Sequence, residues 1–228
     1  MCDKLITIDK ITDVEKYLDG IEAVIFDLDD TLYPEKEYVR SGFKRISEHF
    51  KIPSLETELW QAFESGSKPI DEVFGAHGIM NLKDEALHIY RFQRPDIHLF
   101  DGVAEMLERL HKSYKLGIIT DGRPEGQHAK IDVLSLEDKV DKIIITDELG
   151  GIEYRKPNTM AFILMQKELG IPFKKMVYVG DNPQKDFQAP QCLGMEDIYF
   201  LNTDGLYVCS VNIDADICKG RTANKKRE

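Results

Sequence analysis

Hydrophobic residues are distributed along this chain in two ways. In five places they form short, nearly unbroken runs: Ala23–Phe26, Leu116–Ile119, Ile143–Ile145, Met176–Val179 and Ile198–Leu201. Runs of that length, rich in β-branched residues and closed by polar turns, predict strands buried on both faces. Elsewhere the apolar positions recur three and four residues apart, as in Val39, Phe43, Ile46 and Phe50, which predicts helices burying a single stripe.

The order of these patterns sets the expected architecture. Thr12-Asp13-Val14-Glu15 reads as a capping box opening a helix that Gly20 closes. From residue 36 to about 94 no strand is predicted, and Pro53, Gly66, Pro69, Gly75, Gly78 and Pro95 divide that stretch into about four short helices. Beyond it, Asp101 is expected to cap a helix running to about His111, a second helix spans Glu125 to Leu134, and Pro157 opens a third that reaches Gly170. Single helices between strands predict right-handed crossovers, hence an α/β fold with a doubly wound, Rossmann-like parallel sheet. A small all-helical insertion interrupts the sheet after its first strand. The expected division is a discontinuous core of residues 1–32 and 95–210, a helical cap of residues 33–94, and a flexible basic tail of residues 211–228.

Composition narrows the class. With 228 residues, 42% of them hydrophobic, the chain can bury a full core. It contains no apolar run of bilayer-spanning length, and Met1-Cys2-Asp3-Lys4 lacks the build of a signal peptide, so a cytoplasmic protein without membrane contact is expected. Cys2, Cys192, Cys209 and Cys218 show no paired spacing and read as reduced thiols. A net charge of −11 argues against nucleic acid as a partner. The six histidines have no helix-borne metal-pair spacing, and no role is assigned to them.

The polar residues that end the predicted strands carry the candidate chemistry. Asp27 and Asp29 close the first strand, and two carboxylates this close repel each other unless a cation or proton sits between them. Thr120-Asp121-Gly122 closes the second, Lys156-Pro157 precedes a helix, and Gly180-Asp181-Asn182 closes the fourth with Asp186 shortly after. Ligands in open parallel sheets sit beyond the carboxyl ends of the strands. A hydroxyl, a lysine and several carboxylates around one such crevice describe a magnesium and phosphoryl site, with hard oxygen ligands for Mg2+ and donors for the phosphate. A helical insertion at that edge would stand over the crevice as a lid or specificity module.

In order and spacing, DLDDTL at Asp27–Leu32, the Thr120-Asp121-Gly122 turn, Lys156-Pro157 and GDNPQKD at Gly180–Asp186 resemble the four signature motifs of the haloacid dehalogenase-like hydrolase superfamily. The resemblance covers about residues 20–205, and the insertion is similar to that family's cap. It implies that Asp27 is the nucleophile that becomes an aspartyl-phosphate, and that Asp29 is the general acid/base and offers its backbone carbonyl to the metal. Asp181 then completes the protein's metal ligands with Asp186 behind it, while Thr120 and Lys156 hold the phosphoryl group with help from the backbone of Asp121 and Gly122. Many relatives carry asparagine where this chain has Asp121, so its side chain is expected to point away or to pair with a neighbour such as Arg123. Arg123 is itself a candidate substrate clamp, and Tyr33, Tyr90, Arg91 and Arg94 are further candidates around the crevice.

An acid two residues past the nucleophile marks the family's phosphoryl-transfer members and argues against carbon–halogen hydrolysis. The expected activity is therefore a magnesium-dependent phosphatase acting on a small phosphorylated metabolite, a sugar phosphate or nucleoside monophosphate. Two alternatives stay open: a sugar phosphomutase using the same site, and a phospho-accepting receiver-like signalling or binding domain.

Overall fold

The computed structural model describes residues 5–206. Six parallel strands form one sheet: β1 (Ile6–Ile8), β2 (Ala23–Phe26), β3 (Lys115–Thr120), β4 (Lys142–Ile145), β5 (Met176–Gly180) and β6 (Glu196–Phe200), in the spatial order β1-β6-β5-β2-β3-β4. The chain runs outward from β2 through β3 to β4, then returns to build β5 and β6 on the other side. The strand order thus reverses between β2 and β5, whose carboxyl ends form the crevice where such sheets bind ligands.

Alternation along β2 explains why the sheet is covered on both faces. Val24 and Phe26 face a core that includes Val14, Met106, Leu107 and Ile131, while Ala23 and Ile25 face a second core built on Phe162, Met165 and Tyr178. The first cover includes α5 (Val103–Leu110) and α6 (Pro124–Val133), and the second α7 (Met160–Leu169) and α8 (Gln188–Leu193).

Between β2 and β3 lie four helices: α1 (Glu35–Phe50), α2 (Ser54–Glu64), α3 (Pro69–Ala76) and α4 (Lys83–Arg91). They close around a third apolar cluster of Val39, Phe43, Ile46, Leu55, Leu59, Val73, Phe74 and Ala86. Trp60 packs partly buried on that cluster with the Arg40 guanidinium 4.2 Å from its ring centroid. Helices α1 and α4 approach so closely that a Cβ on Gly42 would lie 2.4 Å from the Tyr90 ring, which requires glycine there.

Several local expectations are corrected. Strand β1 is missing from the sequence reading because three residues at a sheet edge show too little alternation to be seen. The segment read as a capped helix is a 3-10 helix, Ile11–Tyr17, without a side-chain cap; Ile11 and Val14, three apart, are both buried, and Glu15 is drawn into a two-pronged pair with Arg109 of α5 at 3.0 and 2.8 Å. Asp101 is not the cap of α5, because Gly102, with φ of +79°, occupies that position. Pro157 does not open α7, since an Asn158 turn intervenes in which Oδ1 accepts from the Met160 amide at 2.9 Å, and the helix starts at Met160. The expected basic tail, with Cys209 and Cys218, lies outside the described residues, as does Cys2. No helix of the described residues is long and apolar enough to cross a membrane.

Candidate active site

Asp27 follows β2 directly, and its amide donates to the Val179 carbonyl at 2.8 Å, extending the β2–β5 pairing by one residue. This places its carboxylate at the point of strand reversal, buried to 1% exposure. Lys156 arrives from the far side of the sheet. Its ammonium, wholly buried, donates to Asp27 Oδ1 at 2.6 Å and to Tyr178 Oη at 2.8 Å, and pairs with Asp186 Oδ1 at 2.8 Å. Burial alone would discharge a lysine, but the carboxylates of Asp186 and Asp27 outweigh it and raise its pKa well above the ordinary value.

Asp186 sits under the end of β5 because Gly180 leaves room: a Cβ there would lie 2.5 Å from the Asp186 carboxylate. Asp186 Oδ2 accepts from the Asn182 amide at 2.9 Å, closing the loop that carries Asp181. Carboxylate oxygens of Asp27, Asp181 and Asp186 all lie within 4.8 Å of one another. Burial, followed by the charges of Asp27 and Asp186, pushes Asp181 up to about 9; Asp27 is raised to about 6, by burial and the Asp186 charge against the pull of Lys156.

These groups meet the requirements of a hard divalent cation. Asp27 Oδ2 is buried without a hydrogen-bond partner, three carboxylates crowd one another, and every donor is oxygen. An all-oxygen set of this kind suits a hard divalent cation such as magnesium. The side chain of Asp29 stands apart from this cluster, which leaves only its backbone carbonyl for the role expected of it.

The Asp29 carboxylate is gripped by three side chains. Lys130 Nζ donates to Oδ1 at 2.7 Å, Tyr33 Oη to the same oxygen at 2.5 Å, and Gln127 Nε2 to Oδ2 at 2.9 Å. Burial favours its protonation, but the Lys130 charge and these hydrogen bonds prevail and hold Asp29 below the ordinary carboxylate range. Gln127 Nε2 also reaches Thr120 Oγ1 at 3.0 Å and the Asp121 carbonyl at 2.5 Å, so one amide ties the end of β3 to the end of β2. Lys130, 4.4 Å from the Tyr38 ring centroid, is held from above by that aromatic face.

The structure brings Asp27, Asp29, Thr120, Asp121, Gly122, Asp181 and Asp186, from the ends of strands and the turns after them, to one sheet edge, and Lys156 to the same edge from the loop after β4. Asp121 does not pair with Arg123. Its Oδ1 accepts from Thr146 Oγ1 at 2.9 Å and from the Lys156 amide at 3.0 Å, and Lys185 lies 3.6 Å from Oδ2, so the extra acid braces the Lys156 loop. Asp30, with φ of +55°, is an anchor of the turn: its carboxylate accepts from the Glu35 and Leu206 amides at 2.9 and 2.7 Å.

Gln127, Lys130 and Glu35 are absent from the sequence reading, and Lys185, inside the GDNPQKD motif, is given no role there. Gln127 and Lys130 lie three apart on α6 beside the buried Ile131, a polar pair on a helix's inward face. That juxtaposition is the signal that could have found them. All four line, with Tyr38, Leu87, Tyr90, Arg91 and Arg123, a cavity of about 630 Å³ between the sheet edge and helices α1 and α4. Arg94 is not among the residues lining it.

Known proteins are similar to this chain in sequence and in fold. The glyceraldehyde 3-phosphate phosphatase of Pyrococcus furiosus is 33% identical over 198 residues, covering 79% of this chain and 80% of that one. A haloacid dehalogenase superfamily hydrolase from Geobacter sulfurreducens superposes with a TM-score of 0.63 at 20% identity, over 79% of this chain and 87% of its own. The magnesium-bound hydrolase YfnB of Bacillus subtilis does so with a TM-score of 0.55 at 19% identity, over 78% and 86%. The sequence profile of the haloacid dehalogenase-like hydrolases spans residues 24–199, from the strand that delivers Asp27 to the strand beyond Asp186, and the chain belongs to that family, as a hydrolase whose relatives include phosphatases.

Proposed function

We propose that the protein is a magnesium-dependent phosphatase that hydrolyses a small phosphomonoester, a sugar phosphate or nucleoside monophosphate, through an aspartyl-phosphate on Asp27. The observation that carries this reading is the division of labour at Asp27: Lys156 pins Oδ1 at 2.6 Å, while Oδ2 is buried and uncommitted. A carboxylate with one oxygen held by a neighbouring cation and the other free of hydrogen bonds keeps an oxygen available to attack phosphorus.

In the first half, Asp27 forms an oxygen–phosphorus bond as the ester oxygen leaves, and Asp29 protonates that alkoxide. In the second, Asp29 takes a proton from the water that attacks the phosphorus, releasing inorganic phosphate and restoring Asp27. Asp29 needs its proton only when the anionic substrate is present, and the substrate's negative charge works against the three donors that otherwise keep it ionised. Thr120 and Lys156 hold the phosphoryl oxygens, with the backbone of Asp121 and Gly122. Asp27, Asp181 and the Asp29 carbonyl would hold Mg2+, and Asp186, both of whose oxygens are engaged by Lys156 and the Asn182 amide, would stand behind them. When bound, the ion supplies positive charge that offsets the crowded carboxylates and the phosphoryl oxygens. Helices α1 to α4 act as the cap, and a cavity of about 630 Å³ admits a metabolite-sized ligand.

Phosphate release from p-nitrophenyl phosphate and a panel of sugar phosphates and nucleotides, with and without Mg2+, tests this. Turnover is expected only with Mg2+, and Asp27→Asn is expected to lower it by roughly 10³-fold or more. Turnover unchanged in Asp27→Asn would overturn the assignment of the nucleophile.

A further inference from the structure

The cations around the cavity are unequally provided for. Lys156 pairs with Asp27 and Asp186, Lys130 with Asp29 at 2.7 Å, and Arg155 makes two parallel bonds to Asp147, each 2.7 Å long. Lys185 lies 3.6 Å from Asp121. Arg91, at the end of α4, and Arg123, in the loop between β3 and α6, line the same cavity and have no hydrogen-bond or ion-pair partner among the described residues. Acids outnumber Lys and Arg by 41 to 30 in this chain, so acidic partners are not scarce. Two bare guanidiniums in a cavity that already holds four paired cations repel those neighbours unless a ligand brings negative charge.

The group being transferred does not account for them. Lys156, Thr120 and the backbone of the Asp121-Gly122 turn already provide for it in the proposed chemistry. Guanidinium is the side chain that best matches carboxylate and phosphate, through two parallel hydrogen bonds. One arginine comes from the helical layer and the other from the core, so a single anion bound to both would also hold the two layers together.

We infer that the substrate is an acidic phosphomonoester: besides the phosphoryl group that is cleaved it carries a second anionic group, a carboxylate or another phosphate, recognised by Arg91 and Arg123. This rests on the phosphatase reading and narrows it, turning from neutral sugar phosphates and from amino-bearing esters. Glu35, on the same cavity, does not oppose it. Burial and the Asp29 charge raise its pKa to about 8, which favours its neutral form over a second negative charge beside the ligand.

The test compares kcat/KM within matched pairs on the full chain with Mg2+: glucose 6-phosphate against 6-phosphogluconate, glyceraldehyde 3-phosphate against 3-phosphoglycerate, and fructose 6-phosphate against fructose 1,6-bisphosphate. The acidic member of at least one pair is expected to be favoured by about tenfold or more, and the favoured pair tells carboxylate from phosphate. Arg91→Gln and Arg123→Gln are each expected to lower that ratio by about tenfold, chiefly through KM; Arg91→Lys retains part of it, and Arg45→Gln, on the outer face of α1, leaves it alone. Ratios near one for every pair, or ratios that neither arginine substitution moves, overturn the inference while the phosphatase reading stands. If no compound is hydrolysed, p-nitrophenyl phosphate included, the phosphatase reading falls. Calorimetric binding of the same pairs to Asp27→Asn then decides the inference alone: tighter binding of acidic members that Arg91→Gln removes upholds it, and equal binding overturns it.

Discussion

The sheet edge and the helical layer facing it bury different things. Around the carboxyl ends of β2, β3 and β5 the buried side chains include Asp27, Thr120, Gln127, Lys130, Lys156, Asp181 and Asp186; hydrogen bonds tie Lys156 to Asp27, Gln127 to Thr120 and to Asp29, and Lys130 to Asp29, while Asp181 crowds Asp27 and Asp186. The helical layer buries an apolar cluster of Phe43, Ile46, Leu55, Leu59 and Phe74, and presents few polar groups to the cavity, chiefly Glu35, Tyr38, Tyr90 and Arg91. Charges inside protein must be paired or they cost several kcal/mol, so the edge is a network in which no member can change alone. The layer opposite is held mainly by an apolar cluster away from the cavity; of its lining residues Tyr38 and Tyr90 also pack into the cores, whereas Arg91 has no partner among the described residues. In the proposed function, the chemistry thus resides where substitution is most costly.

The comparison breaks most visibly at Lys156. Lys156→Met leaves Asp27 and Asp186 facing each other without their cation, so turnover of p-nitrophenyl phosphate is expected to vanish and unfolding free energy to fall by roughly 3–5 kcal/mol. Denaturant titration with and without Mg2+ reads the second effect, and added Mg2+ should recover part of it. A Lys156→Met protein as stable and active as the parent would show that the edge is not an interdependent network.

Lys130 sharpens the contrast, because it touches Asp29 and not the acidic cluster. Lys130→Met is expected to lower kcat by roughly 10²-fold with a smaller change in KM, since Asp29 loses the charge that orients it. Lys130→Arg, which keeps the charge, should recover much of the loss; equal losses in both variants would assign Lys130 to packing against Tyr38 and Tyr33 instead.

The smallest effect on activity is expected in the helical layer. Leu59→Ala, in the middle of its apolar cluster, should cost roughly 2–5 kcal/mol of stability while kcat per folded molecule stays within about twofold. If kcat falls with stability, the layer is coupled to the chemistry and the division drawn here fails.

How much of this was legible follows from what each residue answers to. Asp27, Asp29, Thr120 and Asp181 stand where strands end, and a polar residue closing a buried run is conspicuous against its neighbours; Lys156, in a loop, stood out beside Pro157 as part of the resemblance. Gln127 and Lys130 stand within a helix, where a polar residue excites no notice, and only the packing of α6 against the sheet turns them inward. Asp121 was visible as an anomaly, but its partners Thr146 and Lys185 come from two other loops. Arg91 and Arg123 were visible as candidates, and what was not visible is that they alone, of the cations lining the cavity, lack an acid among the described residues.

The sequence by itself determined five of the six strands, their alternation with helices, the helical interruption after β2 and the order of the polar strand ends, because those depend on short-range periodicity and on residues adjacent in the chain. Tertiary structure alone decided the edge pairing of β1 with β6, the grip of Lys130 and Gln127 on Asp29, and which cations were left for a ligand. Each of those joins residues separated by tens to more than a hundred positions, as with Lys130 and Asp29, 101 apart, and no local pattern records which distant charge a buried side chain will meet.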